Sequence, residues 1–244
     1  MTSNPSEADP GDHPVVSEDR WLAERRALLV REKDLTRQLD DIARERRALP
    51  WARVGKTYVF DTADGPRTLA DLFKGRSQLL VQHFMFGPGW TQGCPSCSFM
   101  ADHMDGMTIH LAHRDVTFIA ISRAPLDELL RYRKRMGWAF DWASSNASDF
   151  NFDFGVSLTP EQLASGAETY NYGSEPFDGD EQPGISVFFK DERGAVFHTY
   201  STYGRGVEAM MGTFRLLDLT PRGRDEQPGR GMAWLRRHDS YGTA

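Results

Sequence analysis

The feature that most constrains the fold is a continuous apolar run, residues 78–86, which is followed closely by the chain's two cysteines, Cys94 and Cys97. A run of this kind and length is typical of a strand that is buried on both faces of a sheet. Helix-compatible residues follow Cys97, a second apolar strand is predicted over residues 116–122, and Pro125 favours the first turn of another helix. We therefore predict a parallel strand–helix–strand unit with a right-handed crossover. The cysteine pair would lie at the carboxyl end of its first strand, where sites in such sheets occur.

The rest of the chain predicts the other parts of an α/β domain. Residues 185–189 and 195–200 are apolar runs on either side of a charged turn with a glycine, which is typical of an antiparallel hairpin. Residues 207–217 predict a final helix, and residues 138–182 an irregular insertion rich in aromatic side chains. We expect a central mixed sheet flanked by helices. The predicted parts are a disordered tail (1–17), an amphipathic helix (18–49), the α/β domain (50–220) and a C-terminal extension (221–244).

The amphipathic helix over residues 18–49 has Ser17 as its predicted N-cap and Pro50 directly after it. Large apolar side chains recur every seven residues on one face, and most of the remaining side chains are charged. The recurring positions are Trp21, Leu28, Leu35, Ile42 and Leu49. This stripe packs on its own domain, as most helices do, or it forms the contact of a homodimer, because a narrow seven-residue seam is typical of coiled coils.

Charge and hydropathy exclude several classes of partner. The chain has 29 basic and 35 acidic residues and a net charge of −6, so no basic excess indicates nucleic acid or an anionic membrane. Its first residues are polar and acidic, unlike a signal peptide. No run approaches the roughly 18 apolar residues of a membrane span. We therefore expect a cytoplasmic protein whose thiols are reduced at rest, so that a close thiol pair is catalytic or metal-binding rather than a permanent disulfide.

The position predicted for the cysteine pair assigns different roles to its two members. At a helix N-cap, the Cys94 thiolate meets free backbone N–H groups and the positive end of the helix dipole, which lower its pKa. Cys97 lies one turn further on the same face and is expected to be more buried. Pro95 suits the first turn, because its missing N–H would have been unpaired there. Cys94 is therefore the predicted attacking thiolate and Cys97 the resolving thiol.

Two other interpretations of the pair follow from the residues alone. The cysteines are two small core side chains, although a loop-to-helix junction is a poor core site. Alternatively they bind a metal, which requires two more ligands. The downstream histidines His103, His110 and His113 do not have zinc-finger spacing, and the chain has no second cysteine pair. We expect neither a metal nor a cofactor.

Several segments together resemble a bacterial thioredoxin-like family that is known only as a domain of unknown function. The resemblance covers roughly Trp21–Tyr241 and rests on several short, distinctive segments. These are His83–Gly87, Cys94–Phe99, Ser122–Leu126, Arg135–Trp138, Ser148–Asn151, Phe197–Tyr203 and Leu217–Pro221. The resemblance implies a thioredoxin fold and a thiol–disulfide role for Cys94 and Cys97. It implies no particular substrate.

The chain departs from ordinary thioredoxins at two places. The cysteines enclose Pro95 and Ser96 rather than Gly and Pro, so the family's redox potential is not carried over. Thioredoxins also have a cis-proline that precedes the hairpin and faces the thiols. The resemblance gives this role to Pro183, although Gly184 makes the arrangement one residue longer than usual.

A second resemblance is to peroxiredoxins, whose signature is similar to residues 88–94 but one residue longer. It implies that Thr91 hydrogen-bonds a peroxide and that an arginine, here Arg205, stabilises the thiolate. Cys94 would then pass through a sulfenic acid that Cys97 resolves.

Three functions are consistent with these observations. The leading one is a thiol–disulfide oxidoreductase that acts on protein or small-molecule thiols and disulfides. The second is a thiol peroxidase that uses Cys94 as its peroxidatic cysteine. The third is a non-catalytic interaction protein on the same scaffold, because fold alone does not imply function.

Overall fold

The computed structural model describes residues 13–227 and 231–242, so most of the predicted disordered tail, residues 1–12, lies outside the described residues. The helices are α1 (Glu18–Ala48), α2 (Pro95–Asp105), α3 (Thr108–Ala112), α4 (Leu126–Arg135), α5 (Phe150–Asp153), α6 (Pro160–Ser165) and α7 (Gly212–Leu217). The strands are β1 (Ala52–Arg53), β2 (Val59–Phe60), β3 (Arg67–Thr68), β4 (Gln78–His83), β5 (Val116–Ser122), β6 (Asp141–Ser144), β7 (Thr169–Tyr170), β8 (Glu175–Pro176), β9 (Gly184–Lys190) and β10 (Val196–Tyr203).

The chain divides into two compact units, Met1–Leu49 and Pro50–Ala244. In the first unit, α1 begins as expected: the Ser17 side chain accepts a hydrogen bond from the Arg20 N–H, and acidic residues fill the first turn. No residue of α1 is buried, and the seven-residue apolar stripe is exposed. The homodimer through this helix stays a prediction. No described helix is long and apolar enough to cross a membrane.

The second unit contains a six-stranded mixed sheet in the order β1-β10-β9-β4-β5-β6. β4 is parallel to β5, and β5 to β6, whereas β9 is antiparallel to both β4 and β10. The predicted strand–helix–strand unit (β4, α2, β5) and the predicted hairpin (β9, β10) are therefore confirmed. The α/β, thioredoxin-like fold class, with helices flanking a central mixed sheet and a long N-terminal helix, is confirmed as well.

β4 is buried on both faces, as its continuous apolar sequence predicts. Leu79 and Val81 pack into one core cluster, with Phe150 and Phe188. On the opposite face, Leu80 lies against a second core cluster, which includes side chains of α2 and α4. Since successive side chains of a strand point to opposite faces, both faces need apolar residues when both are covered.

Two predicted helices are shorter in the structure than the sequence indicated. The helix expected after the cysteines is divided into α2 and α3, and Gly106 is the C-cap of α2. Glycine is an unfavourable helix interior residue, because it loses much backbone freedom there. The final helix begins as a 3₁₀ segment, Gly204–Met210, and only Gly212–Leu217 is α-helical.

Candidate active site

Cys94 is the N-cap of α2, and Pro95 takes the first helical position, as the sequence predicts. The Cys94 N–H donates to the Met85 carbonyl oxygen at 3.0 Å. The Cys94 carbonyl oxygen accepts from the Ser98 N–H at 3.0 Å and from Ser98 Oγ at 2.8 Å. The loop after β4 and the first turn of α2 therefore hold the backbone of Cys94 from both sides.

The two thiols are free and lie close together. Cys94 and Cys97 approach each other to 4.1 Å. Cys94 is half-buried, whereas Cys97 is only 1% exposed. Ser96 Oγ lies 3.1 Å from Cys94 Sγ, and the Met85 N–H donates to Cys97 Sγ at 3.4 Å. The pair thus has one member accessible to a substrate and one behind it.

The hydrogen bond between the thiols separates their protonation states. The Cys97 thiol donates to Cys94 and, with the Ser96 hydroxyl and the Ser96 and Cys97 N–H groups, lowers the pKa of Cys94 to about 6 despite burial. The same hydrogen bond, together with burial, raises the pKa of Cys97 well above its ordinary value. At neutral pH the site therefore holds a Cys94 thiolate beside a Cys97 thiol.

The lowered pKa predicts the pH dependence of thiol reactivity. Because only the thiolate is nucleophilic, the rate of iodoacetamide alkylation of the reduced protein is expected to rise with an inflection near pH 6 and then level off. Alkylation is quenched at fixed times, and mass spectrometry measures the fraction of Cys94 that is modified. Cys94→Ser is the control, since Cys97 alone is expected to give no inflection there. An inflection at the ordinary pKa of a cysteine would contradict this prediction.

Thr91 and Arg205 line two different cavities. Thr91 is exposed and lines a surface cavity with Trp90 and Tyr132 that contains neither cysteine. The Arg205 side chain is 88% exposed and pairs with Glu208 at 3.0 Å. It also lines a cavity of about 230 Å³ that Cys97 lines as well. Its ion pair is with an acidic residue of its own turn, and a role of Arg205 beside the thiolate stays a prediction.

Pro183 lines the same cavity as Ser96 and Cys97, and its role beside the thiols stays a prediction. The bond before Pro183 is trans, since no described residue has a cis peptide bond, so Pro183 does not share the cis geometry of the proline in thioredoxins. The Gln182 N–H donates to the Val156 carbonyl oxygen at 2.8 Å, and the Tyr170 hydroxyl donates to the Pro183 carbonyl oxygen. These contacts hold the segment before β9 in place.

Sequence reasoning missed Glu181, a buried carboxylate of the insertion. It is 2% exposed, pairs with Arg123 at 2.9 Å and accepts from Ser157 Oγ at 2.8 Å. Burial raises its pKa to about 7, although both partners oppose the shift. In the sequence Glu181 lies within the irregular insertion predicted over residues 138–182, and no motif marks it. Its burial, together with its ion pair with Arg123, a residue distant in the sequence, distinguishes Glu181 from the other acidic residues of the insertion.

The raised pKa of Glu181 predicts a pH dependence of stability. The folded state keeps this proton between pH 4.5, the ordinary pKa, and about 7, while the unfolded state releases it, so Glu181 lowers the free energy of unfolding as pH rises through this range. In Glu181→Gln, this decline is expected to be smaller. Urea unfolding across the range measures it, with exposed Glu192→Gln as the control. Parallel curves for wild type and Glu181→Gln would show that the prediction is wrong.

One histidine of the metal interpretation, His103, has hydrogen-bond partners on both ring nitrogens. His103 bonds the Phe99 carbonyl oxygen through Nδ1 and Thr213 Oγ1 through Nε2, at 2.6 and 2.7 Å. In the part of the chain that the structure describes, no three His, Cys, Asp or Glu side chains form a group that could hold a metal ion.

Residues 10–241 match a family model described as "Bacterial protein of unknown function (DUF899)". The chain belongs to this family. The family resemblance found in the sequence is thus confirmed, and the site described above is a site of a DUF899 protein. None of the curated proteins matches the chain.

Solved structures similar to this DUF899 chain include several peroxiredoxins. Peroxidoxin BcpB from Mycobacterium tuberculosis is 16% identical, covers 68% of this chain and 97% of its own, and has a TM-score of 0.41. A cysteine-to-serine variant of peroxiredoxin Q from Xanthomonas campestris is 12% identical, covers 65% and 90%, and has a TM-score of 0.44. These scores are too low to support an argument about activity, which depends on the site itself.

Proposed function

We propose that the protein is a cytoplasmic thiol–disulfide oxidoreductase in which Cys94 is the nucleophile and Cys97 the resolving thiol. One observation carries this proposal: a half-buried cysteine with a lowered pKa caps α2, and a buried cysteine with a raised pKa lies one turn behind it. A nucleophile must be a thiolate and accessible, whereas a resolving thiol must stay protonated until the first step is complete.

The reaction proceeds in two exchanges. The Cys94 thiolate attacks one sulfur of a substrate disulfide, the substrate S–S bond breaks, and one substrate thiolate leaves. Cys97 then loses its proton and attacks Cys94 Sγ, which releases the second substrate thiolate and leaves a Cys94–Cys97 disulfide. Two electrons have passed to the substrate, and a dithiol reductant must return them.

Insulin reduction tests this proposal. With dithiothreitol as the electron donor, the protein is expected to accelerate precipitation of the insulin B chain above the rate with dithiothreitol alone. A variant that lacks both cysteines gives the background. The proposal fails if the wild-type protein and this variant give the same rate.

A thiol peroxidase is the second candidate, and the lowered pKa of Cys94 supports it too. The thiolate would attack a hydroperoxide oxygen, the O–O bond would break, and an alcohol or water would leave. Cys97 would then displace water from the Cys94 sulfenic acid to form the disulfide. Dimedone labelling of Cys97→Ser after hydrogen peroxide treatment tests this step. Absence of both label and peroxide consumption would remove this candidate.

A further inference from the structure

A C-terminal segment distant in sequence lies against the loop that carries Cys94. We call Leu235–Asp239 the C-terminal clamp. Leu235 is 5% exposed and belongs to the same core cluster as Cys97. Arg237 Nε donates to the Gly93 carbonyl oxygen at 3.0 Å, and its Nη2 donates to the same atom. The clamp therefore binds the peptide group that joins Gly93 to Cys94.

Two further side-chain contacts hold the clamp in place. Asp239 pairs with both Nε and Nη2 of Arg135, at 2.7 and 3.1 Å, while Arg135 Nη1 donates to Gln92 Oε1 at 3.0 Å. His238 Nδ1 lies 2.7 Å from Asp102 Oδ1 on α2. The clamp thus connects the residue before Gly93 with the helix that follows Cys94.

Gly93 itself has no freedom to move toward the core. A Cβ at this position would lie 2.6 Å from Phe84 Cε1 and 3.0 Å from Tyr132 Cε1. The peptide after Gly93 is held on one side by these rings and on the other by Arg237. The Tyr132 hydroxyl links the two sides, since it bonds both Arg237 Nε and Ser98 Oγ.

Three backbone groups next to the Cys94 side chain have hydrogen-bond partners. The Cys94 N–H bonds Met85, the Cys94 carbonyl oxygen bonds Ser98, and the Gly93 carbonyl oxygen bonds Arg237. Gly93 is buried, so without Arg237 its carbonyl oxygen would be left unsatisfied or would turn to find water. Rotation of this peptide would move Cys94 away from the N–H and hydroxyl donors of α2.

We propose that Arg237 is a positioning residue for Cys94, which fixes the thiolate at the N-cap of α2 by holding the Gly93 carbonyl. This proposal rests on the proposed function only in that the positioned thiolate is the proposed nucleophile. Arg237 touches neither thiol in the hydrogen-bonded network, so its effect passes through the backbone. Its effect on the position of Cys94 therefore depends on the planar guanidinium group, which presents several N–H donors in a rigid arrangement.

The pH dependence of Cys94 alkylation tests this role without any substrate disulfide. In Arg237→Gln, the inflection is expected to move upward by about one pH unit, so that alkylation at pH values below the wild-type inflection slows about tenfold. Arg222→Gln is the matched control: Arg222 is exposed and has no side-chain hydrogen bond in the described structure. A melting curve of each variant shows whether it is folded at the assay temperature.

Arg237→Lys distinguishes the effect of the guanidinium's hydrogen-bond geometry from that of its positive charge. It also provides the test if Arg237→Gln does not fold. Lysine keeps the positive charge but lacks the planar fork, so only partial recovery of the wild-type inflection is expected. Full recovery would assign the effect to charge and overturn the positioning role, as would an unchanged inflection in Arg237→Gln. A shifted inflection in a protein that does not reduce insulin would support the positioning role while the proposed function fails.

Discussion

Cys94→Ser is expected to lower catalysed insulin reduction by a factor on the order of a thousand, down to the rate of the reductant alone. The physical reason is that a serine hydroxyl stays protonated at neutral pH, whereas the donors around Cys94 hold a thiolate there. Cys97 cannot replace it, because it is buried and its pKa is raised. The turbidity assay for insulin measures this loss.

Cys97→Ser is the matched variant, because it removes the second thiol and leaves the first attack possible. It is expected to accumulate a mixed disulfide at Cys94, since no thiol remains to release the substrate. Its thiolate also loses the Cys97 hydrogen bond, so the pKa of Cys94 rises. Mass spectrometry of the trapped adduct identifies the attacking cysteine. A mixed disulfide at Cys97 in Cys94→Ser, with retained activity, would reverse the assignment.

Phe84→Ala is expected to lower the free energy of unfolding by about 3–5 kcal/mol, the usual cost of deleting a buried aromatic ring. Phe84 is 1% exposed. Its ring centroid lies 4.5 Å from that of Trp142 and 6.0 Å from that of Trp138. It also forms the surface against which Gly93 packs. The cavity left by alanine would therefore loosen the loop that carries Cys94.

Urea unfolding of the reduced protein measures this free energy. Leu219→Ala is a suitable control, because Leu219 is 82% exposed and exposed substitutions usually change stability by less than about 0.5 kcal/mol. The Cys94 inflection in Phe84→Ala should also move upward if the loop loosens. A loss no larger than that of Leu219→Ala would show that the Phe84 ring does not support the core as described.

Much of the fold could be predicted because its signals are local. The apolar run that forms β4 and the run that forms β5 each show their burial in a few consecutive residues. The N-cap position of Cys94 follows from its place between a glycine-containing loop and Pro95. Helix interruptions were harder to predict, since Gly106 weakens a helix without specifying where it ends.

The surroundings of the thiols could not be predicted in the same way. The resemblances assigned roles to Thr91, Pro183 and Arg205; Pro183 and Arg205 line a cavity with Cys97, whereas Thr91 lines a different one. Glu181 and Arg237 carry no motif, and both are found only through partners far away in the chain.

The sequence by itself determined the strand–helix–strand unit, the hairpin and the identity of the two thiols. Local periodicity and helix capping depend on neighbours in the chain, so they can be recognised without coordinates. Only the tertiary structure decided which groups surround those thiols. Arg237 reaches Gly93 across 144 residues, and Arg123 reaches Glu181 across 58. Such contacts arise when the sheet brings distant segments together, and no pattern along the chain specifies them.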